Sequence, residues 1–164
     1  MYLRKIIGMA ALGILLSTLS ATAQENKFKA LFLNKFVQYI EWPVQDQKVT
    51  IGVLGKSDVY NELLAVTKGK SNIKVIQIYS VEEYAKCDVI YVPQYMGVFI
   101  EKLDSKIGNQ SILVVSDDKD HAGKSADIGF YIENQRLLFM IDPSNLRAKK
   151  LNPSSRLLNL GQSV

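Results

Sequence analysis

Apolar residues recur at helical spacing in the segment that follows the first 23 residues of the chain. One apolar face contains Phe28, Leu31, Phe32, Phe36, Tyr39 and Ile40, and intervals of three and four residues are typical of a helix. A second apolar edge contains Ala30, Leu33 and Val37. The pattern predicts a helix from about Asn26 to Glu41, ended by Pro43. We expect Phe28, Leu31, Phe32 and Phe36 to lie in the core, and residues Tyr39 to Pro43 to lie nearer the surface.

Short β-branched runs alternate with helical patterns through the middle of the chain. Strands are predicted at Lys48–Leu54, Ile73–Tyr79, Asp88–Val92 and Ser111–Ser116. Helices are predicted at about Val59–Thr67, from Ser80, and at Gln94–Ile107. Strands that alternate with helices indicate a largely parallel sheet that is covered on both faces.

The rhythm changes after a polar loop at residues 117–126. Asp127–Ile132 and Arg136–Ile141 are predicted to form an antiparallel hairpin. Helical material follows from Pro143 to Leu160, and it is divided near Asn152, where Pro153 is expected to begin a second helix. The predicted fold class is α/β: a three-layer α/β/α sandwich whose mixed, largely parallel sheet has about six strands and a C-terminal antiparallel hairpin.

The first residues have the pattern of an export signal. Arg4 and Lys5 precede an apolar run from Ile6 to Leu16, and Ala21-Thr22-Ala23 fits a signal-peptidase site. We predict a signal peptide at residues 1–23, cleaved after Ala23, and a single domain at residues 24–164. A retained membrane anchor is the alternative, but the apolar run is shorter than the roughly 20 residues that span a bilayer. The predicted location is periplasmic.

Charge and cysteine content narrow the function further. The formal net charge of +4 includes two basic residues of the leader, and no basic run follows a helix face, so no nucleic-acid partner is expected. Cys87 is the only cysteine, which excludes an intramolecular disulfide. We interpret it as a small buried hydrophobe; an intermolecular disulfide or a reactive thiol is the alternative.

The residues that carry chemistry do not form a catalytic pattern. Gly52 to Asp58 lies at a strand-to-helix turn but matches neither phosphate-binding glycine motif, and Asp58 would repel an anion. His121 stands among aspartates without EF-hand or zinc spacing, so we interpret its loop as solvated, with weak cation binding as the alternative. There is no G-x-S-x-G motif. We expect no enzyme activity, no cofactor and no metal.

A ligand site is the second functional hypothesis that the pattern permits. Open α/β sheets bind ligands beyond the carboxyl ends of their strands. In the predicted sheet, that edge carries Gly55, Ser57, Pro93, Tyr95 and Asp117. The alternative reading of the chain is therefore a periplasmic small-ligand-binding protein.

An ordered set of segments resembles the YfiR family of small exported proteins. The segments are Tyr39-Ile40-Glu41-Trp42-Pro43, Ile51–Gly55, Lys86–Val92, Asp127–Phe130 with Leu137–Asp142, and Ser154–Leu160. No single segment is strongly specific, but their order over almost the whole mature chain is. The chain departs from the family pattern in its single cysteine and at Gly129, Met140 and Asp142.

The resemblance implies a non-catalytic periplasmic protein that binds and represses an inner-membrane signalling protein, such as a diguanylate cyclase or a sensor histidine kinase. Such a protein lowers cyclic-di-GMP and biofilm formation, and an outer-membrane lipoprotein counters it. A homodimer is a further option. The apolar surplus of the first helix and the chain end makes the candidate partner contacts Phe36, Tyr39, Ile40, Trp42, Pro43, Leu157 and Leu158. Trp42 is either a core residue or an interface residue.

Overall fold

The computed structural model of the protein describes residues 22–44 and 48–164. The predicted signal peptide thus lies outside the described residues, except for Thr22 and Ala23, which are helical and exposed. Among the described helices, none has the length and apolarity that a membrane crossing requires.

Helices and strands alternate along the chain much as predicted. The helices are α1 (residues 22–39), α2 (Asp58–Thr67), α3 (Ile100–Ile107), α4 (Pro143–Ala148) and α5 (Ser155–Leu158). The strands are β1 (Ile40–Glu41), β2 (Val49–Leu54), β3 (Ile73–Ile78), β4 (Val89–Val92), β5 (Leu113–Ser116), β6 (Ile128–Glu133), β7 (Arg136–Ile141), β8 (Asn152–Pro153) and β9 (Gln162–Ser163). Short 3₁₀ segments cover Val81–Lys86, Gln94–Phe99 and Lys119–His121.

Seven of the nine described strands form one sheet in the order β3-β2-β4-β5-β6-β7-β9. The first five strands in this order, β3 to β6, are parallel to one another, whereas β7 is antiparallel to β6 and parallel to β9. Asn134 and Gln135 form the hairpin turn, and both have positive φ, as a two-residue type I′ turn requires. The mixed, largely parallel α/β sandwich is therefore confirmed, with a seventh strand, β9, that the sequence did not predict.

The chain end differs from the prediction at Pro153. Instead of beginning a helix, Asn152 and Pro153 pair with Glu41 and Ile40 in a small antiparallel sheet. The amide of Ser154 donates to the carbonyl oxygen of Tyr39 at 2.8 Å, and α5 begins only after this contact. The pairing with the end of α1 holds the backbone at Pro153 extended, so the helix starts two residues later.

Helices cover both faces of the sheet. One core cluster contains the buried side chains of α1 and α2 and the C-terminal residues Leu146, Leu151 and Leu157, whereas the second contains those of α3. Every residue of β4 and β5 is buried, because both faces of these central strands are covered. On the α1 side, Phe36 packs against Phe130 and Phe139 with ring centroids 5.9 and 5.1 Å apart.

The residues of α1 that face the sheet differ from those that the sequence predicted for the core. Phe28 is 44% exposed and Leu31 is 36% exposed, so the prediction that both lie in the core was wrong. The side chains that face the sheet are Ala30, Leu33, Phe36, Val37 and Ile40. This edge has the same helical spacing, and the small side chain at Ala30 lets the helix approach the strands closely.

A fully buried ion pair joins the C-terminal segment to the sheet. Asp127 Oδ2 accepts hydrogen bonds from Lys149 Nζ at 3.0 Å and from the amide of Val114 at 2.7 Å. Its Oδ1 accepts a hydrogen bond from Asn145 Nδ2 at 2.7 Å. Burial raises the pKa of the Asp127 carboxyl, and the neighbouring Lys149 opposes that rise. One carboxylate thereby connects β5, the start of β6 and α4.

Candidate functional site

The strand order reverses between β2 and β4, which opens a crevice at the carboxyl edge of the sheet. From β2 the chain proceeds to β3 on one side and then returns to β4 on the other. Such a reversal is where open α/β sheets bind ligands. A cavity of about 670 Å³ lies there, and Ser57, Pro93, Tyr95 and Asp117 line it. The structure thus brings together four of the five residues predicted for a ligand site.

The fifth residue, Gly55, forms the turn behind the cavity wall. Its φ is +72°, and a Cβ atom at this position would lie 2.3 Å from the Tyr95 Oη atom. Tyr95 Oη donates a hydrogen bond to the Lys56 carbonyl oxygen at 2.7 Å, and Gln77 Nε2 donates one to the Gly55 carbonyl oxygen at 2.6 Å. Glycine is required here both for the left-handed backbone and for the close approach of Tyr95.

An ion cluster that the sequence analysis missed borders the same cavity. Lys29 Nζ lies 2.7 and 2.9 Å from the two carboxylate oxygens of Asp117 and 2.5 Å from Glu25 Oε1. Burial raises the pKa of Asp117, whereas Lys29 and a hydrogen bond from the Tyr91 side chain lower it. Burial likewise raises the pKa of the Tyr91 phenol. The cluster holds the first turns of α1 against the carboxyl edge of the sheet.

The loop that contains His121 is ordered rather than freely solvated. His121 Nδ1 and Ser116 Oγ are 2.7 Å apart, and the His121 carbonyl oxygen accepts hydrogen bonds from the amides of Lys124, Ser125 and Ala126. Within residues 22–44 and 48–164, no three acidic, histidine or cysteine side chains are grouped so as to hold a metal ion. These contacts give His121 a role in shaping the loop.

Cys87 lies on the opposite side of the sheet from α1, in the core cluster that contains α3. Its thiol is free and buried, in agreement with its interpretation as a small core residue. Burial raises its pKa to about 12, so the reactive thiolate form is scarce near neutral pH.

A second concave surface, which we call the apolar groove, lies between α1 and the β6–β7 hairpin. It has a volume of about 860 Å³, and its apolar lining consists of Phe28, Phe32, Ile132, Leu137 and Leu138. A smaller cavity of about 270 Å³ shares Asp117 with the first cavity and Ile132 with the groove. The three concave surfaces therefore lie side by side, as separate cavities, along the N-terminal end of α1.

The predicted partner contacts divide into three groups. Phe36, Ile40 and Leu157 are buried in the core, so in this conformation their side chains are inaccessible to a partner. Tyr39, Trp42 and Leu158 are half-buried and pack against the same core, and only Pro43 is exposed.

The half-buried Trp42 shows why this part of the prediction differs from the structure. Its Nε1 donates a hydrogen bond to the Val37 carbonyl oxygen at 3.1 Å, which directs the indole back along α1. Phe28 and Leu31, at the other end of α1, and Ile132, on the hairpin, are instead among the exposed apolar side chains. Their exposure has no sequence signal, because Phe28 follows the same helical period as the buried Phe36.

The described residues thus form an α/β sandwich with concave surfaces at the carboxyl edge of its sheet and beside α1. The chain belongs to the YfiR/HmsC-like family, whose model matches residues 26–162, which confirms the resemblance inferred from the ordered segments. A search of curated proteins finds no match to the chain. The family is regulatory, non-enzymatic and periplasmic, and membership implies a regulator of cyclic-di-GMP signalling.

Proposed function

We propose that the protein binds and represses an inner-membrane signalling protein, such as a diguanylate cyclase or a sensor histidine kinase. Family membership supports the regulatory role. The structural observation that carries the proposal is the apolar groove beside the N-terminal end of α1. The occupant is an apolar segment of the periplasmic part of the membrane protein.

The groove has the exposed apolar area that such a contact needs. Phe28 is 44% exposed and Ile132 is 52% exposed, and both line the groove. Full burial of a large apolar side chain contributes about 1.5–3 kcal/mol, so the remaining exposed area of these two side chains favours association. Arg136, which also lines the groove, offers a charge that helps to orient the partner, whereas Glu25 is already paired with Lys29.

Repression follows if the protein prefers one conformation of its target. A ligand shifts a two-state equilibrium only by its difference in affinity for the two states. Binding to the inactive conformation of a cyclase sensor would therefore lower cyclic-di-GMP without any chemistry in the regulator. This mechanism agrees with a regulatory, non-enzymatic family.

The test compares charged substitutions at two groove positions with one at a similarly exposed position elsewhere. Phe28→Glu and Ile132→Glu place a charge in the groove, whereas Leu64→Glu places one on α2 at a residue that is also 44% exposed. We expect the two groove variants to fold, to lose capture of the membrane protein in pull-downs, and to raise cellular cyclic-di-GMP. The Leu64→Glu variant should behave as the wild type. Equal capture by all three folded variants would refute the groove as the contact surface.

We also propose that the protein is exported and that its leader is cut after Ala23. The tripartite pattern of the first residues supports this. Mass spectrometry of protein recovered from the periplasm should identify an N-terminus at Gln24, and a retained leader would contradict the cleavage. An outer-membrane lipoprotein that counters repression is a further proposal from the family resemblance, and co-purification tests it. A homodimer is a further proposal from the apolar surface of α1, and light scattering tests it.

A second candidate function is small-ligand binding at the cavity between β2 and β4. The observation that favours it is the convergence of Ser57, Tyr95 and Asp117 where the strand order reverses. A saturable rise of the unfolding temperature with a small molecule would support it, since a ligand that binds only the native state stabilises that state.

A further inference from the structure

Four carboxamide side chains line the cavity between β2 and β4, and three of them form no hydrogen bond within the described residues. Asn26, Asn61 and Gln94 line it, and within the described part of the chain their side chains form no hydrogen bond. A carboxamide offers both a donor and an acceptor. Three such groups from α1, α2 and the segment after β4 therefore suit a ligand whose polar groups also donate and accept.

The charges around the cavity oppose one another. Lys56 and Asp58 both line it and carry opposite charges, and the Asp117 carboxylate is paired with Lys29 at 2.7 Å. Lys29 also pairs with Glu25, so this cluster carries one surplus negative charge, but Glu25 does not line the cavity. An anion that leaves water for this site would therefore lose its hydration without meeting a surplus of positive charge. The N-terminus of α2 offers no anion site either, because Asp58 occupies its first turn. The surroundings thus disfavour an anion and suit an uncharged ligand.

Two tyrosine rings supply the apolar part of the lining. Tyr60 and Tyr95 both line the cavity, and the hydrogen bond from Tyr95 Oη to the Lys56 carbonyl oxygen fixes the second ring. An aromatic face carries partial negative charge, which attracts the polarised C–H groups on one face of a saturated ring. The volume of about 670 Å³ lies within the range of about 300–1,000 Å³ that is typical of ligand sites.

We propose that this cavity binds a small uncharged polyhydroxylated molecule of the mono- or disaccharide class. The proposal rests on the second candidate function above and gives its ligand a chemical class. Hydroxyl groups donate to and accept from Asn26, Asn61 and Gln94, and the C–H face of the sugar ring packs against a tyrosine.

The test is titration calorimetry of the whole mature protein with a defined panel of probes. Glucose, galactose, maltose and trehalose represent the proposed class, whereas inorganic phosphate, succinate and glycine represent charged and zwitterionic ligands. We expect saturable binding of at least one sugar and of none of the charged probes. Asn61→Ala and Gln94→Ala should each weaken that binding about five- to tenfold, the value of one hydrogen bond.

The control is Gln38→Ala, which removes an exposed carboxamide from α1 away from the cavity and should leave affinity unchanged. Asn61 and Gln94 are themselves exposed, so both variants are expected to fold, and circular dichroism checks this. Sugar binding that both variants retain in full would overturn the assignment of the site. Binding of a charged probe alone, lost in Asn61→Ala, would overturn the ligand class but leave a ligand-binding function. Binding of no probe would overturn both.

Discussion

The buried ion pair between Asp127 and Lys149 yields the sharpest prediction for stability. Asp127 is 0% exposed and Lys149 is 1% exposed. Lys149→Met keeps most of the volume of the side chain and removes only its charge. The Asp127 carboxylate then keeps its hydrogen bonds from the Val114 amide and from Asn145, but it loses the only cation that the described residues place beside it.

The expected loss is large because an unpaired charge stays in the core. Removing one partner of a buried ion pair costs about 3–5 kcal/mol, which lowers the unfolding temperature by roughly 6–20 °C in a domain of this size. The two remaining hydrogen bonds to Asp127 place the expected value in the lower part of that range. A loss of stability near the upper end of that range would mean that these two hydrogen bonds do little to stabilise the unpaired carboxylate.

The loss should also depend on pH, in a direction that the burial of Asp127 determines. Its folded-state pKa is raised, so its contribution to stability is greatest below the unfolded pKa and declines as the pH rises. Without Lys149 the folded pKa rises further, since the cation that lowers it is gone. The difference in unfolding temperature between the wild type and Lys149→Met should therefore be smaller at pH 5 than at pH 8.

Calorimetric unfolding of both proteins at the two pH values measures the effect. The matched control is Lys150→Met, which removes an exposed charge from the neighbouring residue and should change stability by less than about 0.5 kcal/mol. An equal loss in the two variants, or a difference between wild type and Lys149→Met that does not change with pH, would refute the reasoning.

Three further predictions concern glycines and the thiol. Gly52→Ala should cost about 1–3 kcal/mol in urea unfolding, because its Cβ would lie 2.4 Å from Cys87 Sγ; a Cys87→Ala background should recover most of that loss, and no recovery would contradict the contact. Cys87, whose pKa burial raises to about 12, should react with a thiol reagent at pH 8 only in denaturant, and rapid labelling of folded protein would contradict its burial. Gly55→Ala should cost more than Gly69→Ala: both glycines have positive φ, which costs other residues about 1–2 kcal/mol, but only Gly55 faces Tyr95. Equal losses in urea unfolding would show that Tyr95 moves freely.

The sequence was sufficient to predict the alternation of strands and helices, because strands buried on both faces consist of uninterrupted apolar runs. The sequence was insufficient to predict β9. Gln162 and Ser163 have no apolar pattern, and they become a strand only by pairing with Met140 and Ile141. A two-residue strand of polar side chains is determined by its neighbour, and no local signal in the sequence indicates it.

The orientation of α1 about its axis could not be predicted from the sequence for a different reason. Apolar residues surround most of the helix, so the 3.6-residue period predicts a helix without saying which edge faces the sheet. Contact with Phe130 and Phe139, about a hundred residues later, selects the edge that contains Phe36. The other edge, with Phe28, is left exposed.

The candidate ligand site was predictable in part. Ser57, Tyr95 and Asp117 follow strand ends, so a general rule for open sheets brings them to one edge. Asn26 and Lys29 belong to α1, and Lys29 precedes Asp117 by 88 residues. Whether these two residues lie at the same edge depends on how α1 packs against the sheet, and no local sequence pattern indicates that packing.

The shared use of α1 has a thermodynamic consequence. Asn26 lines the cavity and Phe28 lines the groove, within a single hydrogen-bonded turn that Lys29 ties to Asp117. If an occupant of one surface displaces this turn, the residues that line the other surface move with it. Coupling of this kind is reciprocal: whatever factor a molecule in the cavity applies to binding at the groove, binding at the groove applies to the cavity.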